Sequence, residues 1–321
     1  GLQWQFVLKG RAAEIPEEVP SNLGMAPRGS VVEPGVPDFG FAVRKKQEVW
    51  YDKVADLYEQ AKAQQWNATT DIPWKDLRPL PDAIERAVCQ LMTFLAENEF
   101  VALYLPAKFI GKIAPQFQEV VMFLATQGED EARHLEVFTK RALANGGGLQ
   151  YVSASTEWSL KSLLQQEDFT NGSFLLSVLG EGTFLELLKF IEEHAPEPVT
   201  AKILHNVRQD EGRHVTYGLA HIAYQLKRDP DLKNRLIQAA EERASFLYET
   251  SGNHPFVQHA LAVLAGGGDG RTALASGAEQ ARGLTAIMHE SRMKRLLSIG
   301  FEPDDAQRIS ALHGGSVRTF M

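Results

Sequence analysis

The pattern Asp-Glu-x-Arg-His occurs twice in this chain, as Asp130, Glu131, Arg133, His134 and again as Asp210, Glu211, Arg213, His214, with all four identities repeated at an offset of 80 residues. Both copies lie in stretches whose apolar spacing predicts long helices. A three-residue step on a helix sets Glu131 beside His134 and Glu211 beside His214, so each pair offers one oxygen and one nitrogen toward the same side. A single Glu-x-x-His is usually a solvated surface pair. Two matching copies, preceded by Phe123-Leu124 and Ile203-Leu204, point to an interior location.

The surrounding sequence predicts an all-α chain. Pro16, Pro20, Pro27, Pro34 and Pro37 break up residues 1–42, which read as an irregular arm. Residues 43–321 read as a single helical domain. Its first helix is expected near residues 43–65. A long helix opens at Pro81 and should end or kink at Pro106, and a second follows Pro115 as far as the glycines at 146–148. Ser173 is placed to cap a third, a fourth runs from Pro198 to about Leu226, and Asp229, Pro255 and Ala273 open further helices. The metal-binding core is expected within residues 81–226. No comparable strand pattern appears.

Formal net charge is -8, and no long basic run exists to bind nucleic acid. The lone Cys89 builds neither an intrachain disulfide nor a thiolate metal site. No apolar run reaches membrane-spanning length, and the start at Gly1 lacks the secretory pattern of basic and then apolar residues. The expectation is a cytoplasmic protein with no nucleic-acid or membrane partner, and a homodimer is compatible with it.

The helices ahead of the two motifs also resemble one another. LAENEFVALYL, starting at Leu95, aligns with LGEGTFLELLK, starting at Leu179, which pairs Glu97 with Glu181 and Phe100 with Phe184. The expected metal ligands are therefore Glu97, Glu131, His134, Glu181, Glu211 and His214. Glu99 is the competitor to Glu97, and Glu186 the alternative to Glu181. Interior carboxylates need compensation, and two divalent ions would neutralise four of them. Mixed oxygen and imidazole ligation suits two iron ions, with manganese or a mixed Mn/Fe pair as the variant. Two ions also divide the electrons that dioxygen takes up. Asp130 and Asp210 are placed to accept the outer N–H of a histidine on a facing helix.

This paired motif resembles the ferritin-like di-iron carboxylate superfamily, whose four bundle helices supply Glu, Glu-x-x-His, Glu and Glu-x-x-His. The resemblance implies a ferritin-like four-helix bundle with additional N- and C-terminal helices, and the long flanking segments look most like the oxidase and oxygenase branch. It implies dioxygen activation to oxidise a small organic or carrier-bound substrate, with a ferredoxin or flavin reductase as electron donor. The chain is similar to the ribonucleotide reductase small subunit, but Phe138 stands where the radical tyrosine of that family lies, leaving Tyr104 and Tyr217 as redox neighbours. It is also similar to arylamine N-oxygenases of the p-aminobenzoate type, except that Val207 replaces their additional histidine. The other alternative is a ferritin-like iron-binding or oxidative-stress protein without an organic substrate.

Overall fold

The computed structural model describes residues 1–250 and 255–313, and among these it is all-helical, with isolated β-bridges but no sheet. In chain order the helices are α1 (Trp4–Val7), α2 (Val54–Ala63), α3 (Asp82–Ile110), α4 (Gln118–Ala144), α5 (Ala154–Leu164) and α6 (Phe169–Ser173). A π-helical stretch, Phe174–Glu181, joins α6 directly to α7 (Gly182–Glu193). Then follow α8 (Pro198–Leu226), α9 (Leu232–Thr250), α10 (Pro255–Gly266), α11 (Arg271–Ser298) and α12 (Pro303–His313). α3, α4, α8 and the continuous α6–π–α7 rod form a four-helix core, and the remaining helices pack around it.

The apolar core divides into two layers. One gathers Val101 to Phe109 of α3, Val120 to Leu124 of α4, Phe169 to Leu179 of the rod and Tyr217 to Tyr224 of α8. The other gathers Ile84 to Ala96, Val137 to Ala142, Leu187 to Ile191 and Val199 to Val207 of the same four rods. On every rod the acidic or histidine motif falls between the two. A helix advances 1.5 Å per residue, so rods of this length carry an apolar layer at each end and still leave a belt at mid-height. That belt holds the polar groups described below.

Local chemistry accounts for several departures from the expected boundaries. Residues 43–53 form no α-helix, only a short 3-10 turn at Lys46–Glu48, and the first core-packing helix begins only at Val54. Their backbone is spent elsewhere: Val43 N–H donates to Lys112 at 2.9 Å, Ala114 N–H to Val43 at 2.9 Å, and Lys46 N–H to Glu17 at 2.8 Å. Pro106 does not end α3, which continues to Ile110. The third rod begins at Phe169 rather than Ser173, because the Asp168 carboxylate accepts the Asn171 N–H at 2.8 Å and caps it.

The N-terminal arm is anchored by charge. Buried Arg28 donates to Glu119 of α4 through Nη1 at 2.7 Å and through Nη2 at 2.5 Å, and Trp4 Nε1–H donates to the same carboxylate at 3.1 Å. Burial alone would raise Glu119, but Arg28 and then Trp4 outweigh it and hold the acid below its usual range. Arg28→Met should leave that acid buried beside an apolar side chain, at a cost of about 3–5 kcal/mol. Urea unfolding monitored by circular dichroism would check this, and a loss below about 1 kcal/mol would show that the pair is solvated.

Candidate metal centre

Four rods bring five acids and histidines of the expected set, together with Glu99, into the mid-height belt. Glu99, Glu131, His134 and Glu211 form one buried group and Glu131, Glu181, Glu211 and His214 a second, with the donor atoms in each within 4.8 Å of one another. Glu131 and Glu211 belong to both. His214 Nδ1 lies 3.0 Å from Glu131 Oε1 and 3.5 Å from Glu211 Oε2, while His134 Nδ1 lies 3.2 Å from Glu131 and 3.5 Å from Glu211. Each imidazole therefore turns Nδ1 toward the same two carboxylates.

The structure departs from the sequence reading at Glu97. Successive residues on a helix are 100° apart, so Glu97 and Glu99 differ by about 200° and face nearly opposite sides of α3. Glu99 enters the belt. Glu97 instead lies half-buried against Glu157 of α5, where burial first and then the neighbouring acid push its carboxyl up to about 8. The internal alignment misled because it treated two unlike segments as equivalent. Glu181 ends a π-helical stretch, whose wider turns shift the facing of residues relative to α3. Glu186 also lies outside the belt and accepts a hydrogen bond from Ser291 at 2.7 Å.

The outer nitrogens are held across the bundle. A carboxylate can only accept, so His134 Nε2–H donates to Asp210 at 3.1 Å and His214 Nε2–H donates to Asp130 at 3.2 Å. The carboxylate of each motif thus steadies the ring of the other. Arg133 donates to Asp130 and, at 3.0 Å, to Asp210, while Arg213 donates to Asp130 at 2.9 Å and to Asp210 at 2.5 Å. These two acids and two arginines balance their own charge, so the four belt glutamates are left without a resident counter-charge other than the histidines.

The electrostatics of the belt follow from that imbalance. Burial, then the charges of Glu131 and Glu211, hold the Glu99 carboxyl well above its ordinary range, and burial with Glu211 does the same to Glu181. Burial would pull both histidines down. Asp210, Glu131 and Glu211 outweigh it at His134, and Glu131 and Asp130 do so at His214, so both rings titrate well above the usual histidine range. Glu131 moves the opposite way, because His214 and His134 overcome its burial.

The donor set fits a pair of cations. Glu181 Oε2 and Glu211 Oε2 are buried and have no hydrogen-bond partner among the described residues, and Glu131 Oε1 and His214 Nδ1, equally buried, face each other at 3.0 Å without hydrogen-bond geometry. Lone pairs left this way are costly unless something positive meets them.

Supporting residues include several that the motif reading missed. Gln127 Nε2–H donates to Glu181 at 3.3 Å, and it lies one turn before Glu131 on the same stripe, a spacing that could have found it. Gln64, Gln65 and Trp66, just past α2, bond to Arg213, Arg133 and Asp210, with Trp66 Nε1–H donating at 2.7 Å. Nothing in their local sequence signals this. Phe138 and Val207 are buried apolar residues, and Tyr217 is buried with its hydroxyl donating to the Val49 carbonyl at 2.7 Å. Tyr104 is exposed.

This architecture aligns with solved structures of R2-like ligand-binding oxidase. One with aerobically reconstituted Mn/Fe cofactor (long soak) matches with a TM-score of 0.53 and 18% identity, over 83% of this chain and 91% of that chain. The fold is ferritin-like. A second structure, with aerobically reconstituted metal cofactor after photoconversion, gives 0.53 and 17% over 83% and 92%. A tyrosine-to-phenylalanine variant with aerobically reconstituted Mn/Fe cofactor gives 0.54 and 19% over 81% and 95%. No protein-family model and no curated protein matches the sequence. The ferritin-like bundle here carries two candidate metal clusters, and among its described residues no helix is long and apolar enough to cross a membrane.

Proposed function

We propose that this chain is a dioxygen-consuming di-metal oxidase, with Glu99, Glu131, His134, Glu181, Glu211 and His214 as ligands. The carrying observation is the pair of buried clusters that share Glu131 and Glu211. Oxygen and imidazole donors without thiolate suit two iron ions, and equally a manganese–iron pair like the cofactor named for the similar oxidase structures. Such a pair, when bound, supplies electrons for dioxygen reduction. The protein's own part is positioning. Asp130 and Asp210 hold the outer imidazole protons and so leave Nδ1 free to ligate, Gln127 orients Glu181, and the two apolar layers keep bulk water out.

The cavity bordering Gln127, Ser177 and Tyr217, next to Glu181, is only about 20 Å³. That supports the reading in which oxygen is consumed without an organic substrate held at the centre. Oxidation of a small organic or carrier-bound substrate, with electrons from a ferredoxin or flavin reductase, is the second reading. The π-helical stretch favours it, since such irregularities recur at functional sites and this one borders the cavity. An arylamine N-oxygenase is the less supported form of that reading, because buried Val207 offers no further nitrogen ligand.

Anaerobic loading with Fe(II), or with Mn(II) and Fe(II), followed by elemental analysis should find about two ions per chain. Rapid mixing with dioxygen should then consume it, and failure of either step overturns the proposal. Product mass analysis with an electron donor present separates the two readings. Glu99→Ala should lower metal loading while Glu97→Ala leaves it unchanged, and the reverse pattern would reinstate Glu97. Because ligation must displace protons from Glu99, Glu181 and both histidines, all raised above their ordinary values, metal affinity should climb with pH. Proton release on metal addition in weak buffer checks the sign.

A further inference from the structure

A second cavity lies away from the acidic belt. It occupies about 680 Å³ between α3, α4 and α5, within the size range of small-molecule sites. Val101, Leu135, Leu160 and Leu164 give it apolar walls. Phe100, Tyr104, Leu149 and Val152 also line it while remaining exposed to solvent, an unusual gathering of large apolar side chains around one opening.

Within this apolar lining stand two acids, Glu97 and Glu157. Glu97 Oε1 is buried and has no hydrogen-bond partner among the described residues. The basic residue of the lining, Lys161, places its ammonium 4.6 Å over the Trp158 ring. A ligand with a negative head would meet this acid pair, in which burial and then Glu157 hold a proton on Glu97 and leave no counter-charge for an anion. An ammonium head, with three donors and one positive charge, would satisfy the orphaned oxygen while its apolar body filled the walls.

The geometry points to a second binding site, on the side of α3 turned away from the acidic belt, for a small organic cation with an apolar body, of the primary alkylammonium class. Glu97 and Glu157 read the charge, and the α3–α4–α5 walls read the chain. The site is separate from the metal centre and does not depend on how that centre is used.

Titration calorimetry of the full chain with octylammonium, octanoate and octanol tests this. Octylammonium should bind and the other two should bind at least about tenfold more weakly, which corresponds to one charge-assisted hydrogen bond. Glu97→Gln and Glu157→Gln should each weaken octylammonium by about tenfold without changing metal loading, and Leu135→Trp should fill the cavity and abolish binding. Glu157 is exposed on the first turn of α5, so its variant keeps the test independent of folding. No binding of octylammonium, equal binding of octanoate or octanol, or unchanged affinity in the two glutamine variants would each overturn the assignment.

Discussion

Glu131→Ala is expected to cut tightly bound metal from about two ions per chain to fewer than one. Glu131 contributes a donor atom to both clusters and lies against both Nδ1 atoms, so its loss opens both positions together. Glu99→Ala and Glu181→Ala each touch a single cluster and should leave about one ion. The four-carboxylate belt also predicts opposite signs for binding and for folding. Glu181 is buried among like charges, so Glu181→Gln should leave the protein no less stable before metal is added, even as it weakens metal binding. Elemental analysis after anaerobic loading and desalting, paired with thermal unfolding before loading, measures both. Full loading of Glu131→Ala would mean that the shared carboxylate is not a ligand.

The second large effect is expected at Asp210. This one carboxylate takes the outer N–H of His134, the indole N–H of Trp66 and contacts from Arg133 and Arg213, all in the bundle interior. Asp210→Ala strips a counter-charge from two buried arginines and should cost about 3–5 kcal/mol. It also frees the His134 ring, so metal affinity should fall by about 10–100-fold at the cluster that contains His134. Asp130→Ala should produce the mirror-image loss at His214. Urea unfolding gives the first quantity and competition with a chelator the second. A change below about 1 kcal/mol with unaltered affinity would show the network to be dispensable.

Much of this architecture was legible because the doubled Asp-Glu-x-Arg-His pattern sits in rods long enough to bury it. Spacing alone placed Glu131 with His134 and Glu211 with His214 on shared faces, and the structure brings all four together. The first glutamate was not legible, because choosing between Glu97 and Glu99 required knowing how far the partner rod is wound. The π-helical stretch that ends at Glu181 is not signalled by any pattern in Phe174–Glu181. The supports at Gln64, Gln65 and Trp66 were hidden for a related reason. They come from a segment more than 60 residues away from Arg133 and Asp210, and local periodicity carries no information about such long-range closure.

The crossed pairing of His134 with Asp210 and of His214 with Asp130 makes neither half of the bundle self-sufficient. A fragment ending in the loop after α4 would carry one Glu-x-x-His but lack the acid that fixes its tautomer, and the complementary fragment would suffer the same want. Assembly of the two hairpins therefore precedes any complete ligand set, so a half-built molecule would have no competent place to capture a reactive ion.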